Sequence, residues 1–258
     1  MAHIDNPATS PAPSRGLQGR VLDRFFRTGE VLETERVAAR MTRVRIGVAD
    51  TRGLACLPGQ QIRIATGDPS ADWLMSRIGD LRTYSVWEHD PEAGWLDLCL
   101  LDHGDGPGAR WGRTVVPGQL VRFRPPEGSF ILHPNADYHL FAGEETAAVA
   151  FGAMLRAIPA DVPVFGAIET ATIEDRLPLP RSTELAHPLR GTASAAASAT
   201  LLSAVTDLNL PDRPGIAYLA GEARTIQFIT KYLMRERDWP RRAIVTKPFW
   251  TPGKRGME

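Results

Sequence analysis

The first half of the chain carries short runs in which apolar and polar residues alternate, separated by turn residues. In the clearest run, Val44, Ile46 and Val48 alternate with two arginines and a glycine. Such alternation is typical of half-buried strands. The predicted strand runs are RVAARMTRVRIGVA (36–49), QQIRIAT (60–66), LRTYSVW (81–87), GWLDLCLL (94–101) and QLVRFRP (119–125). Many short strands at this spacing predict a barrel or a sandwich over 17–135.

After residue 135, strand-like runs alternate with helical runs. We predict strands in YHLFAG (138–143), VPVFGAIE (162–169), GIAYLAGE (215–222) and RAIVTKPFW (242–250), and helices in EETAAVAFGAMLRAI (144–158) and ARTIQFITKYLMRER (223–237). The second of these helices is amphipathic, with Ile226, Ile229 and Leu233 on one face. Strands that alternate with helices indicate βαβ units, and therefore an α/β domain over 136–258.

Two segments have unusual composition. The segment rich in alanine and serine after residue 190 carries an apolar stripe of leucine and valine, which predicts a helix from Ala195 to Leu208. A flexible linker is the alternative. Residues 1–16 are rich in Pro, Ala and Ser and predict a disordered leader, with structure beginning near Leu17.

The composition limits the kinds of protein that this chain can be. With 258 residues, 43% of them apolar, it can build one large or two ordinary domains. The 30 Lys and Arg residues are balanced by 30 Asp and Glu residues, so no overall field attracts nucleic acid. No apolar run approaches the roughly 20 residues of a membrane span, and no signal-peptide core is present, so we expect a cytoplasmic protein.

The cysteines and histidines show no pattern of a reactive site. Cys56 and Cys99 lie far apart, beside leucines, which fits buried small hydrophobic residues better than a disulfide. The 6 histidines include no pair at the spacing of ligands on one helix, so we expect no metal held by the protein.

A polar and aromatic cluster interrupts the strand pattern in LRTYSVW. Arg82 is a forked donor suited to a phosphate, and Tyr84 points to the same face and offers a flat amphipathic ring. Ser85 points to the opposite face of a regular strand, so its hydroxyl reaches the same ligand only at a strand end or a bulge. The cluster fits a flavin dinucleotide, although an ordinary strand with an exposed arginine and a half-buried tyrosine also explains it.

A glycine-rich turn follows a predicted strand in DHGDGPGARW (102–111). Its glycines and proline precede a predicted helical turn, which leaves backbone N–H groups free to approach a pyrophosphate. His103 could stack or donate there. Hairpin turns have a similar composition, so this motif is informative only together with the cluster at Arg82.

Taken in register, several motifs resemble the siderophore-interacting protein family. The motifs are PGQQIRI (58–64), RTYS (82–85), HGDGPGARW (103–111), PGQLVRFRPPEGSF (117–130), AGEET (142–146), YLAGEA (218–223) and FWTPG (249–253). The resemblance extends from about Leu17 to Gly253. The family in turn resembles the ferredoxin reductase superfamily, which implies a six-stranded antiparallel FAD-binding barrel followed by a Rossmann-like nicotinamide-binding domain.

The resemblance also implies which residues bind cofactors. Arg82 would bind the FAD phosphates, Tyr84 would pack on the isoalloxazine, and Ser85, with Thr83 beside it, would be the catalytic residue near flavin N5. The pyrophosphate would lie against His103, Gly104, Gly106, Pro107 and Gly108, with Trp111 nearby. The nicotinamide end of NADPH or NADH would lie against Gly143, Glu144, Glu145 and Thr146, and also against Gly221 and Glu222. No GxGxxG fingerprint is present, so this nicotinamide assignment depends on the resemblance.

The implied reaction passes electrons from NAD(P)H through FAD to a ferric siderophore and releases iron(II), with the iron as substrate. A ferredoxin is an alternative donor. The candidate substrate-binding residues are Lys247, Lys254 and Arg255. Either a hydroxamate or a catecholate siderophore fits a chain without net charge.

At two positions the sequence departs from the family pattern, because Trp87 and Thr251 stand where the family tends to carry basic residues. Two alternatives therefore stay open. One is a ferredoxin-reductase-like fold redeployed in a biosynthetic pathway on an organic substrate, and the other is a non-enzymatic module that binds a siderophore or a flavin. For the donor, Glu169 could accept from a ribose 2′-hydroxyl of NADH, whereas Arg176 or Arg181 could meet the 2′-phosphate of NADPH.

Overall fold

The structure is a computed structural model that describes residues 26–50, 54–66 and 81–254. The expected leader, the expected start near Leu17 and the candidate Arg255 lie outside the described residues. No helix in the described ranges is long and apolar enough to cross a membrane.

Six antiparallel strands close into a barrel, in the order β1-β2-β5-β4-β3-β6. The strands are β1 (Arg27–Ala38), β2 (Met41–Gly47), β3 (Gln61–Ala65), β4 (Leu81–Asp90), β5 (Trp95–Leu101) and β6 (Leu120–Phe123). A helix, α1 (Pro107–Thr114), connects β5 to β6 and packs Trp111 into the barrel core. The predicted six-stranded antiparallel barrel is confirmed.

One predicted strand is in fact a hairpin. The run 36–49 was expected to be continuous, but β1 ends at Ala38, β2 begins at Met41, and these two residues pair across a turn. Residues 38–41, where the chain turns, include none of the Gly, Asn or Pro residues that usually mark a tight turn, so the sequence gives no signal of the break. Within β2 the predicted alternation holds, because Val44 and Ile46 are completely buried.

The second half of the chain contains a parallel sheet in the order β10-β9-β7-β8. Its strands are β7 (His139–Glu144), β8 (Val164–Glu169), β9 (Ile216–Glu222) and β10 (Ile244–Trp250). The helices are α2 (Glu145–Ala157), α3 (Ala199–Thr206) and α4 (Ala223–Glu236). Helix α2 contributes to one apolar core, while α3 and α4 contribute to another. The predicted α/β class is confirmed.

The helix predicted from Ala195 to Leu208 is shorter in the structure. Helix α3 begins only at Ala199, because the Ser198 hydroxyl accepts the N–H of Leu201 at 3.0 Å and caps it. The preceding Ala197 has φ of 53° and donates its N–H to a carboxylate at 2.9 Å. The segment before α3 is thus neither helix nor flexible linker, but an irregular stretch fixed by hydrogen bonds.

The barrel contacts the parallel-sheet half through Trp87 of β4 and helix α2. Trp87 is 7% exposed, and a Cβ added at Gly152 would overlap its ring. Arg156 of α2 lies over the same ring, 5.0 Å from its centroid, and donates to the Trp87 carbonyl at 2.9 Å. Trp87, where a basic residue was expected, is therefore a contact between the two halves.

Candidate functional site

Arg82 and Tyr84 of β4 meet the first turn of α1. The ring of Tyr84 packs against Trp111, with 6.3 Å between centroids. A Cβ at Gly108 would overlap the Tyr84 hydroxyl and lie 3.6 Å from Cγ of Arg82. Glycine is needed at position 108 for this close approach. The fold thus brings the predicted phosphate ligand, the predicted stacking ring and the glycine-rich turn together.

Tyr84 is held as a neutral phenol. Burial raises its pKa, and the neighbouring Arg82 guanidinium only partly opposes the rise. Trp111 was expected beside the pyrophosphate, but it is 4% exposed and lies in the barrel core. In the structure its ring packs against Tyr84, and a place for Trp111 near the pyrophosphate stays a prediction.

The N-terminus of α1 is open to an anion. Its N-cap, Gly106, makes no side-chain hydrogen bond, Pro107 occupies the first turn, and no acidic residue lies in that turn. A Cβ at Gly104 or Gly106 would find no atom of the described residues within 4 Å. By contrast, α2, α3 and α4 are capped by Glu144, Ser198 and Glu222. Free N–H groups, the helix dipole and open space fit a pyrophosphate.

Two arginines of α1 hold the glycine-rich turn in shape. Arg113 donates to the Asp102 carboxylate at 2.6 Å and to a carbonyl of the turn at 3.0 Å. Arg110 donates to a second carbonyl of the turn at 2.7 Å. His103 is exposed beside this frame. The protein itself therefore preforms the phosphate-facing turn.

Ser85 lies on the opposite strand face from Tyr84. It pairs with Gln61 in an unbroken β3–β4 register, and Thr83 precedes it on the same face. A register shift between Val86 and Glu88 interrupts the β4–β5 pairing directly after Ser85. The irregularity that the sequence argument required is thus next to Ser85, and the role of Ser85 at a flavin stays a prediction.

Three adjacent parallel strands each end in a buried glutamate. Glu144, Glu169 and Glu222 are 3%, 0% and 1% exposed. Beside Glu144, Gly221 has φ of 114°, and a Cβ there would lie 2.7 Å from a Glu144 oxygen. A Cβ at Gly143 would lie 2.5 Å from a backbone carbonyl oxygen. The main chain is thus closely packed at the carboxyl edge, where open α/β sheets bind ligands.

Glu144 links the first βα turn to the last strand. It accepts from the Thr146 N–H at 2.9 Å, from the Thr146 hydroxyl, and from Trp250 Nε1 at 2.9 Å. Burial raises the pKa of Glu144 to about 6, and these hydrogen bonds only partly oppose it. The sequence did not point to Trp250, because the partners are 106 positions apart.

The carboxylate of Glu145 is bound by other residues of the protein. Arg190 binds its carboxylate at 2.7 and 2.8 Å, Arg40 at 2.9 Å, and the Ala171 N–H at 2.9 Å. Burial alone would raise the pKa of Glu145, but these partners hold it below the usual value. The carboxylate is committed to an ion cluster, so its assignment as a cofactor ligand is corrected.

Glu222 is likewise committed within the protein. Its carboxylate accepts the N–H groups of Thr225 and Ala197, each at 2.9 Å. It caps α4 and fixes the segment before α3. Any contact of this position with a nicotinamide would therefore come from the Gly221 backbone and not from the Glu222 side chain.

The three side chains considered for the choice between NADH and NADPH also have hydrogen-bond or ion-pair partners within the protein. Glu169 accepts from the Ser198 hydroxyl at 2.5 Å and has no exposed surface. Arg176 donates to a backbone carbonyl at 2.9 Å, and Arg181 pairs with Glu184 at 2.6 Å. The expectation that one of them reads the ribose 2′ position is therefore not supported.

Lys247 lies on the face of β10 that carries Val245 and Phe249, which pack on the core beside α2. It is half-buried, and no described residue forms an ion pair with it. Lys254 is exposed in the turn after β10. Lys247 therefore points to the side of the sheet that faces the barrel.

Metal-binding and thiol chemistry have little support in the described ranges. No group of three or more His, Cys, Asp or Glu there is arranged to hold a metal ion. Cys56 and Cys99 are free thiols, and burial raises the pKa of Cys56 to about 12.

The barrel followed by the parallel sheet is the fold of a solved ferredoxin reductase and of a solved FAD/NAD-binding domain. The siderophore-interacting FAD-binding domain model matches residues 30–130, and the siderophore-interacting protein model matches residues 136–253. The chain belongs to the siderophore-interacting protein family, and its barrel is an FAD-binding domain.

Known proteins share this arrangement. Ferric vibriobactin reductase ViuB of Vibrio cholerae is 27% identical over 176 residues, which cover 67% of this chain and 65% of ViuB. A siderophore utilization protein from T. fusca superposes with a TM-score of 0.78 at 26% identity, over 90% of this chain and 95% of its own. The FAD/NAD-binding domain of a nitric oxide dioxygenase from Vibrio cholerae shares the fold, with a TM-score of 0.69 at 18% identity, over 89% and 100% of the two chains.

Proposed function

We propose that this protein is an FAD-dependent reductase that passes electrons from NADPH or NADH to a ferric siderophore and releases iron(II). The observation that carries the proposal is the meeting of Arg82, Tyr84 and the open N-terminus of α1 in a siderophore-interacting FAD-binding domain. The similarity to a protein named ferric vibriobactin reductase supports the substrate class.

The chain's own residues bind and orient the cofactor. When bound, FAD accepts an electron pair from a nicotinamide and passes electrons on singly. Arg82 and the free N–H groups of α1 bind the phosphates, and the neutral Tyr84 offers a packing surface for the ring. Ser85 is the proposed hydrogen-bonding residue near N5.

The carboxyl edge of the parallel sheet is the proposed nicotinamide side. Gly143 and Gly221 keep the main chain free of side chains there, and the Thr146 backbone lies in the first turn of α2. Glu144 stabilises this edge through Thr146 and Trp250. A ferredoxin donor would leave these backbone positions without a cofactor role.

The ferric siderophore is the proposed final acceptor, with Lys247 and Lys254 as its proposed cationic contacts. One electron converts iron(III) to iron(II), which binds hard oxygen ligands less tightly and leaves the chelate. The alternative of an organic substrate had two grounds, Trp87 and Thr251. Trp87 packs between the two halves, which gives this position a structural role, although a basic side chain is still missing there.

The test is an anaerobic assay for iron release. FAD-loaded protein, NADPH or NADH, a ferric hydroxamate and a ferrous-iron trap are mixed, and Arg82→Gln is compared with the unaltered protein. Trapped iron(II) that depends on protein and on FAD supports the proposal. A flavin that is reduced by the nicotinamide while no iron(II) is trapped from hydroxamate or catecholate chelates contradicts it and favours an organic substrate.

A further inference from the structure

Arg40 occupies the turn between β1 and β2, at the end of the barrel that carries the glycine-rich turn. Its carbonyl accepts the N–H of Asp102 at 2.7 Å. The Asp102 carboxylate is bound in turn by Arg113 of α1 at 2.6 Å. The backbone of Arg40 is thus attached to the start of the segment that faces the proposed pyrophosphate.

The side chain of Arg40 reaches the other half of the protein. Its Nε and Nη2 donate to both carboxylate oxygens of Asp175, each at 2.9 Å, and Nη2 also donates to Glu145 at 2.9 Å. Next to it, the N–H of Ala39 donates to the carbonyl of Glu174 at 2.7 Å. We name this set of contacts, from Arg40 to Glu145 and Asp175, the Arg40 bridge.

The far end of the Arg40 bridge is the beginning of α2. Glu145 is the first residue of α2, directly after Glu144, and its side chain is only 1% exposed. Arg190 fixes the same carboxylate from the opposite side at 2.7 Å. Burial would raise the pKa of both Glu145 and Asp175, yet their arginine partners hold both below the usual values. The bridge therefore joins charged groups near neutral pH.

We propose that Arg40 is a positioning residue that holds the glycine-rich turn of the barrel and the N-terminal turn of α2 at a fixed separation. Its consequence for electron transfer rests on the proposed function, because these two turns face the FAD phosphates and the nicotinamide end. A misplacement of about 1 Å can slow a reaction by on the order of 100-fold. Lysine cannot reproduce the forked contact with two carboxylates.

The experiment compares the unaltered holoprotein with Arg40→Gln, Arg40→Lys, Asp175→Asn and the double variant Arg40→Gln/Asp175→Asn. Arg36→Gln is the matched control, because Arg36 lies on the same hairpin and, within the described ranges, donates to Ala39 O at 3.1 Å but binds neither carboxylate of the Arg40 bridge. Two quantities are measured in each: the limiting rate of flavin reduction by NADPH or NADH, and hydrogen-exchange protection of the Ala39 and Asp102 amides. FAD affinity is measured alongside.

We expect Arg40→Gln and Asp175→Asn to lower the limiting reduction rate by about 10- to 100-fold at nearly unchanged FAD affinity. Both should also lose protection at Ala39. The double variant should be no slower than the slower single one, since both changes break one contact. The reduction rate of Arg40→Lys should lie between those of Arg40→Gln and the unaltered protein. Arg36→Gln should match the unaltered protein.

Two further outcomes are distinguishable. Full protection and an unchanged reduction rate in Arg40→Gln would overturn the positioning role. If neither nicotinamide reduces the unaltered protein, the proposed donor is wrong. The exchange measurement then still tests whether the Arg40 bridge holds the two turns together. Retained protection at Ala39 in Arg40→Gln would then overturn it, and lost protection would support it.

Discussion

The hydroxyl of Tyr84 and the backbone of Gly108 are in contact across β4 and α1, so a Cβ at position 108 would overlap that hydroxyl. Gly108→Ala should therefore displace the ring that packs on the proposed flavin. We expect FAD affinity to fall by about tenfold or more, equivalent to at least about 1.4 kcal/mol. Fluorescence titration of the protein with FAD measures it.

A double variant separates this contact from a general effect on α1. Without the hydroxyl, the nearest ring atom to the added methyl is Tyr84 Cζ at 3.5 Å, an ordinary contact distance. Gly108→Ala with Tyr84→Phe should thus bind FAD more tightly than Gly108→Ala alone. Equal affinities of the two variants would contradict the argument.

Gly106 tests the open space at the N-terminus of α1. Its φ of −63° suits alanine, and within the part of the chain that the structure describes a Cβ there would meet no atom within 4 Å. Gly106→Ala should cost at most about 1 kcal/mol of stability, through the poorer N-cap. The methyl group would occupy the proposed pyrophosphate space. We therefore expect the loss in free energy of FAD binding to be clearly larger than the loss in free energy of unfolding of the FAD-free protein. Unchanged FAD affinity would place the phosphates elsewhere.

The sequence predicted the features that depend on neighbours along the chain. The alternation around Val44 and Ile46 predicted a barrel strand, and the glycine-rich segment ahead of Trp111 predicted an open helix start. Both are local signals, because alternation and helix capping involve residues a few positions apart. The hairpin turn at Arg40 lacks such a local signal and was missed.

Glu144 predicts a pH-dependent stability difference. Its folded pKa of about 6 lies above the ordinary value of 4.5, so the charged form is disfavoured in the fold. Its contribution to stability is full below pH 4.5 and is lost as pH rises through 6. Glutamine cannot ionise but keeps only one acceptor oxygen for Thr146 and Trp250, so beside a constant cost the stability of Glu144→Gln relative to the unaltered protein should rise by up to about 2 kcal/mol as pH rises through 6. Urea unfolding of both proteins across pH measures the difference.

Glu222 is the matched control, because it caps α4 as Glu144 caps α2. Burial alone would raise its pKa, but the N–H groups of Ala197 and Thr225 hold it below the usual value. Glu222→Gln should therefore be destabilising at neutral pH, with a deficit that shrinks as pH falls through the lowered pKa. The same direction of pH dependence for both variants, each relative to the unaltered protein, would refute this account of the sheet edge.

Lys247 predicts a difference between siderophore classes. A half-buried lysine without an ion-pair partner among the described residues attracts an anionic ferric catecholate but not an uncharged ferric hydroxamate. Lys247→Gln should raise KM for the catecholate about fivefold, equivalent to about 1 kcal/mol, and leave the hydroxamate almost unchanged. Lys231→Gln on the exposed face of α4 is the control. Equal changes for both chelates would remove Lys247 from substrate selection.

Long-range relationships could not be predicted from the sequence. The family resemblance assigned Glu145 to the nicotinamide, but its carboxylate is bound by Arg40 and Arg190, which lie 105 and 45 positions away. Trp87 was interpreted as a lost basic residue, whereas its side chain packs against Gly152. Such pairings depend on how the two halves meet, which no local pattern records.

The most direct test of the central claim is a visible absorbance titration of the purified protein with FAD, followed by anaerobic addition of NADPH, NADH and then a ferric hydroxamate. We predict a bound flavin spectrum that bleaches with at least one nicotinamide and returns when the ferric chelate is added, and a weaker bound spectrum in Arg82→Gln. A protein that binds no FAD, or whose bound FAD is reduced by neither nicotinamide, would contradict the account.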